Sequence, residues 1–171
     1  STSNSVPYGV SVDSNGNATI AGTDGTGWRI LKVDVNGNQV WTKHVAWTTG
    51  YVDTVFDVAV DSLGNPVIVG PNFSRAVLLK LNGMTGAESW NYTIKDLTGS
   101  LFDHVVVDSQ RNISVSGWAL QIPGSIREHF VYKLRGSDGV KLWNLTLDGG
   151  GGSALALRTD GNISFASKLL S

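Results

Sequence analysis

An all-β fold made of repeated four-stranded units is what this sequence predicts, and three observations predict it. Short runs in which apolar and polar residues alternate are broken by Gly, Asn and Asp, with no helical period anywhere. One motif returns three times at a spacing of about 47 or 48 residues, as GVSVDSNGNATIAG, DVAVDSLGNPVIVG and HVVVDSQRNISVSG. Behind each copy runs a second segment that ends on tryptophan: WRILKVDVNGNQVW, AVLLKLNGMTGAESW and HFVYKLRGSDGVKLW. A period of this length is the mark of a propeller or a solenoid.

Each unit divides into strands a to d. Strand a is GVSVD, DVAVD or HVVVD, and strand b is ATIAG, PVIVG or ISVSG. Between them, in DSNGN and DSLGN, an Asp can accept hydrogen bonds from turn amides while Gly supplies a positive φ. The third unit carries Arg111 in place of that Gly, at a modest expected cost. Strand c is RILKVDV, VLLKLN or FVYKLR, and a Gly-containing turn hands the chain to strand d just before Trp41, Trp90 or Trp143. A large indole there is expected to lie over its turn against the neighbouring sheet and bury much apolar area. Asn17, Asn65 and Asn112 share one register, as do Gly22, Gly70 and Gly117, and Lys32, Lys80 and Lys133. A fourth unit, GGGGSALALRTDGNISFAS, supplies strands a and b only. The prediction is a single domain over 1–171, a small β-propeller of about four blades. Its blades span about 8–47, 55–95 and 102–148, with a half blade at about 152–168.

The pattern of VAVDSLGNPVIVG followed by VLLKLNGMTGAESW resembles the SBBP-type β-propeller repeat, and LNGMTGAESW resembles the tryptophan-docking motif of the PQQ-like propellers. The resemblance implies four-stranded blades around a central channel, with the docking role on Trp41, Trp90 and Trp143. It does not imply a quinone cofactor, and no cofactor is expected.

Composition narrows the function classes. Charged residues are 16% of the chain, well under the roughly 25% of an average soluble protein, and the net charge is −1 with 13 Lys and Arg dispersed. That is no footprint for a phosphate backbone, so nucleic acid is not an expected partner. There is no Cys, hence no disulfide, thiolate metal site or Cys nucleophile. No apolar run approaches a membrane span, and STSNSVP has neither the charged start nor the apolar stretch of a signal peptide, so an exported chain would here be the mature or an excised form.

Six Asn-x-Ser/Thr sequons, at Asn17, Asn72, Asn91, Asn112, Asn144 and Asn162, fall at turns or outer strands where a glycan can sit. Asn17, Asn112 and Asn162 share the a–b turn; Asn91 and Asn144 each follow a docking Trp. Asp57 and His104 hold equivalent places on innermost strands, and with Trp28, Trp47 and Trp118 they make a possible ligand rim, the indoles stacking on sugars. Asp13, Asn15 and Asn17, like Asp34, Asn36 and Asn38, faintly resemble a calcium loop, but a tight polar turn is favoured. No nucleophile, base and orienting acid recur, and His44 and His129 lie elsewhere in the repeat, so no catalytic or metal residues are expected.

Strand 162–167 lacks a c partner, and an open edge invites another chain. A longer propeller, completion by a neighbouring subunit through STSNSVP, or a ring that tolerates a two-stranded blade all explain it. The second case, repeated head to tail, builds a filament. The expected function is a non-catalytic extracellular or cell-surface module, structural, self-assembling and glycosylated. A carbohydrate-binding propeller and a fragment of a larger propeller enzyme are the alternatives.

Overall fold

The computed structural model describes residues 5–46, 54–95, 99–121, 126–148 and 153–167. Among them are fourteen strands and no helix, in three four-stranded antiparallel sheets and one two-stranded sheet. Blade 1 holds β1 (Val6–Val12), β2 (Ala18–Thr23), β3 (Gly27–Val33) and β4 (Gln39–Ala46) in chain order. Blade 2 holds β5 (Asp57–Val60), β6 (Pro66–Asn72), β7 (Arg75–Leu81) and β8 (Glu88–Thr93). Blade 3 holds β9 (Ser100–Val107), β10 (Ile113–Gln121), β11 (Ile126–Leu134) and β12 (Lys141–Asp148). The half blade is β13 (Ser153–Leu157) with β14 (Ile163–Ser167). The meander expected from the repeats is therefore present, and the fold is that of a propeller whose last sheet has two strands among the described residues.

The innermost strands touch in succession, β1 with β5, β5 with β9, and β9 with β13. Alternation along each strand then sends one set of side chains to each neighbouring blade. On β7, Val77, Leu79 and Leu81 meet Trp28 and Ile30 of blade 1, while Ala76 and Leu78 meet Phe102, Phe130 and Tyr132 of blade 3. Blade 2 is thus apolar on both faces, which explains the near-continuous hydrophobic run AVLLKL.

The a–b turns are built as expected. Asp13 Oδ1 accepts the N–H groups of Asn15 and Asn17 at 3.0 Å each, and its Oδ2 accepts the Asn17 amide at 3.0 Å. Asp61 repeats this with Leu63 and Asn65. The DVNGN turn between β3 and β4 uses Asp34 in the same way. Their carboxylate oxygens accept turn donors, which is the geometry of a tight polar turn.

Candidate functional site

A β-bulge precedes each of the three repeat tryptophans. The pairing slips between Lys32 and Val33, between Lys80 and Leu81, and between Lys133 and Leu134. After the slip, Lys32 stands opposite Trp41, Lys80 opposite Trp90 and Lys133 opposite Trp143. Directly opposed residues share a face of the sheet, so the bulge aims one Lys and one Trp together at the next blade.

What they meet there is a carbonyl and a glycine. The Trp41 indole N–H donates to Gly83 O at 3.0 Å, and that of Trp90 to Gly136 O at 3.2 Å. A Cβ on Gly86 would stand 2.9 Å from the Trp41 ring, and one on Gly139 would stand 2.7 Å from Trp90. Both glycines also have positive φ, 70° and 74°, so only glycine suits the turn and leaves room for the indole. The docking role expected of Trp41 and Trp90 is present, with one correction: each indole covers the turn of the following blade, not its own.

The lysines form a second bond between blades. Lys32 Nζ lies 3.1 Å from Asp13 and donates to Gly64 O at 3.0 Å, while Lys80 Nζ lies 2.9 Å from Asp61 and donates to Gly136 O at 2.9 Å. Burial pushes the Asp13 carboxyl up, but the Asn17 amide, the Lys32 ammonium and two backbone N–H groups outweigh it and hold it at about 2. The same balance, with Lys80 and Lys133 as the cations, lowers Asp61 and Asp108. A buried ion pair of this kind is set by its hydrogen bonds and specifies geometry more than it adds stability.

Blade 3 has the same parts with less to meet. Lys133 pairs with Asp108 at 2.9 Å, but Trp143 is 42% exposed where Trp41 is 8% exposed. Leu142 and Leu145 beside it on β12 are exposed too. At the opposite end, Val6, Tyr8, Val10 and Val12 of β1 are exposed, and an apolar groove of about 340 Å³ lined by Val6, Ile20 and Leu31 crosses the outer face of blade 1. The docking role expected of Trp143 is unfilled among the described residues.

Of the expected ligand rim, Trp28 is contradicted. Trp28 is fully buried against blade 2, where a Cβ on Gly70 would stand 2.9 Å from its ring, so it is interblade core and no sugar platform. Its place beside a turn in the sequence concealed that β3 begins at Gly27 and turns the indole inward. Trp118 is half-buried on β10, and Trp47 lies outside the described residues. Asp57 and His104 do come together, with 3.9 Å between Oδ2 and Nδ1. Asp57 also accepts the Val58 and Val105 N–H groups, so it ties β5 to β9.

The sequons divide by what their amides do. Asn17 is held by Asp13, and the Asn112 and Asn162 side chains bond Asp108 and Asp160 in their own turns. Asn91 donates to Glu88 at 2.7 Å on an exposed strand. Asn72 is half-buried at the end of β6, and Asn144 is exposed on β12. Repetition of the turn accounts for the first three sequons, and surface access favours Asn91 and Asn144.

One cluster escaped the sequence reading. Thr26 Oγ1 lies 3.1 Å from His44 Nε2 and donates to Asp24 Oδ1 at 2.6 Å, with Arg29 2.6 Å from Asp24. The Thr26 hydroxyl and N–H lead the groups that hold the Asp24 carboxyl far below its ordinary range. Because the hydroxyl gives its proton to Asp24, the arrangement braces the β2–β3 turn and does not present a nucleophile to a base. Asp24, Thr26 and Arg29 are close in sequence, but His44 joins them from β4, 18 residues after Thr26. No group of three or more His, Cys, Asp or Glu is placed to hold a metal ion among the described residues.

No protein-family model matches the chain, and no curated protein matches it. Among solved structures it is similar to the quinohemoprotein alcohol dehydrogenase from Comamonas testosteroni, with a TM-score of 0.59 and 13% sequence identity. The match covers 88% of this chain and 30% of that one, so the chain spans under a third of that neighbour's length. At this identity the likeness carries the fold alone, which is a propeller.

Proposed function

We propose that this chain is a structural and interaction module of a cell surface. It is a run of propeller blades whose two outer faces pack against further blades supplied by a second copy, and it has no catalytic residues of its own. The observation that carries this reading is the half-exposed Trp143. Its siblings Trp41 and Trp90 each dock on the next blade, while the face it presents continues the same bulge, lysine and indole geometry. The exposed valines of β1 offer the matching apolar surface at the other end. Low charge and the accessible sequons at Asn91 and Asn144 support placement outside the cell.

Sedimentation of the full chain tests the assembly. Trp143→Ala and Val10→Glu each remove one face, so each variant alone is expected to stay monomeric, while a mixture of the two pairs through the remaining faces and stops at dimers. Wild type that stays monomeric at every concentration rules the reading out. Intact mass from the native source checks the surface assignment: hexose-sized increments are expected at Asn91 or Asn144, and an unmodified mass removes the glycan claim.

A further inference from the structure

A groove of about 540 Å³ runs along the boundary of blades 2 and 3, walled by Trp90, Asn82, Gln110, Arg111 and Arg135 among others. Arg111 is the anomaly in it. The fourth position of the a–b turn takes a positive φ, and Gly16, Gly64 and Gly161 supply it at 80°, 75° and 81°. In blade 3 Arg111 adopts 66°. That region is disfavoured for a residue with a Cβ, and strain kept at one copy of a repeat points to a task for that side chain.

The exchange also alters the blade boundary. In blade 2 the corresponding Gly64 seats the ion pair of blade 1, since a Cβ there would stand 2.9 Å from Asp13 Oδ2 and 3.2 Å from Lys32 Nζ. In blade 3 Lys80 bonds the c–d turn at Gly136 instead, and the a–b turn presents a guanidinium. Asp61 neutralises Lys80 at 2.9 Å, and Asp138 pairs with Arg135 at 2.8 Å. Among the described residues Arg111 has no ion-pair partner, so the groove wall carries unspent positive charge beside a half-buried indole.

We infer that this groove binds an acidic saccharide, a sugar unit whose carboxylate is received by Arg111. A guanidinium fork matches a carboxylate in two parallel bonds, an indole offers an apolar platform with a polar edge, and the side-chain amides of Asn82 and Gln110 suit hydroxyl groups. This site is independent of the end-to-end packing proposed above.

Calorimetric titration of the full chain at low salt with a galacturonic-acid trisaccharide tests it, beside the uncharged galactose trisaccharide and a polyglutamate peptide. Saturable binding of the acidic sugar is expected, at least about tenfold tighter than the neutral one. Arg111→Gly restores the residue of the other turns, so its Tm is expected to hold or rise while affinity falls at least about tenfold. Loss of binding then cannot be loss of fold. No saturable binding, equal affinity for both trisaccharides, full affinity in Arg111→Gly, or equal affinity for polyglutamate would each overturn the assignment.

Discussion

Val10, Val58 and Val105 hold one place on three successive a strands, yet Val10 is 64% exposed while Val58 and Val105 are 5% and 4% exposed. The residue and its place on the strand are the same. What differs is the blade in front: Val58 packs on blade 1, close enough that a Cβ on Gly9 would stand 3.0 Å from its side chain. Trp41 and Trp143 make the same contrast at the opposite face. Burial in this repeat belongs to pairs of blades, so stability is expected to follow interfaces between neighbours more than the blades themselves.

The largest test of that comparison is Trp41→Ala against Trp143→Ala in monomeric protein. Urea unfolding is expected to show a loss of about 4 kcal/mol for the first, and about 0.5 kcal/mol or less for the second. Equal losses would mean that Trp143 is already docked. Lys80→Met comes next, because it strands the buried Asp61 carboxylate, at a cost of about 3 kcal/mol. Lys133→Met should cost distinctly less, since Lys133 and Asp108 remain more open to water.

Acid should reveal the same order. Asp13, Asp61 and Asp108 titrate lower in the folded chain than in the unfolded one, so their contribution is complete above about pH 5. It is lost as the pH falls through the folded values, which for Asp13 means about 2. Thermal melts between those limits should show Tm falling with pH, and Lys80→Met should show a shallower slope. A slope unchanged in that variant would place the acid sensitivity elsewhere. The smallest expected effect has the opposite sign: Arg111→Gly should stabilise the chain by about 1 kcal/mol, as the backbone strain of its turn is released.

Much of this was legible in the sequence because it repeats. Strand boundaries, turn types and the Lys and Trp registers follow from three aligned copies, each of which corrects the others. What did not follow was direction. Nothing local tells that the Trp90 indole reaches Gly139 rather than its own Gly86, because both stand in the same turn pattern. Trp28 looked like a loop residue for want of a sign that Gly70, two strands and one blade away, leaves space for it. The Asp57 bond to Val105 joins neighbouring blades, and only packing brings those residues together. Arg111 was visible as an exception, but its groove required the turns of two blades to be set side by side.

The one-residue bulge before each docking tryptophan has a consequence for symmetry. In blades 1 and 2 it aims Lys and Trp forward along the chain, toward a glycine turn of the following blade. Such a contact has a donor side and an acceptor side that are never the same surface. A two-fold axis down the channel would set the donor side of each copy against the acceptor side of the other, so a closed pair would make the contact twice. An array that grows through this contact without closing is polar, with chemically different ends.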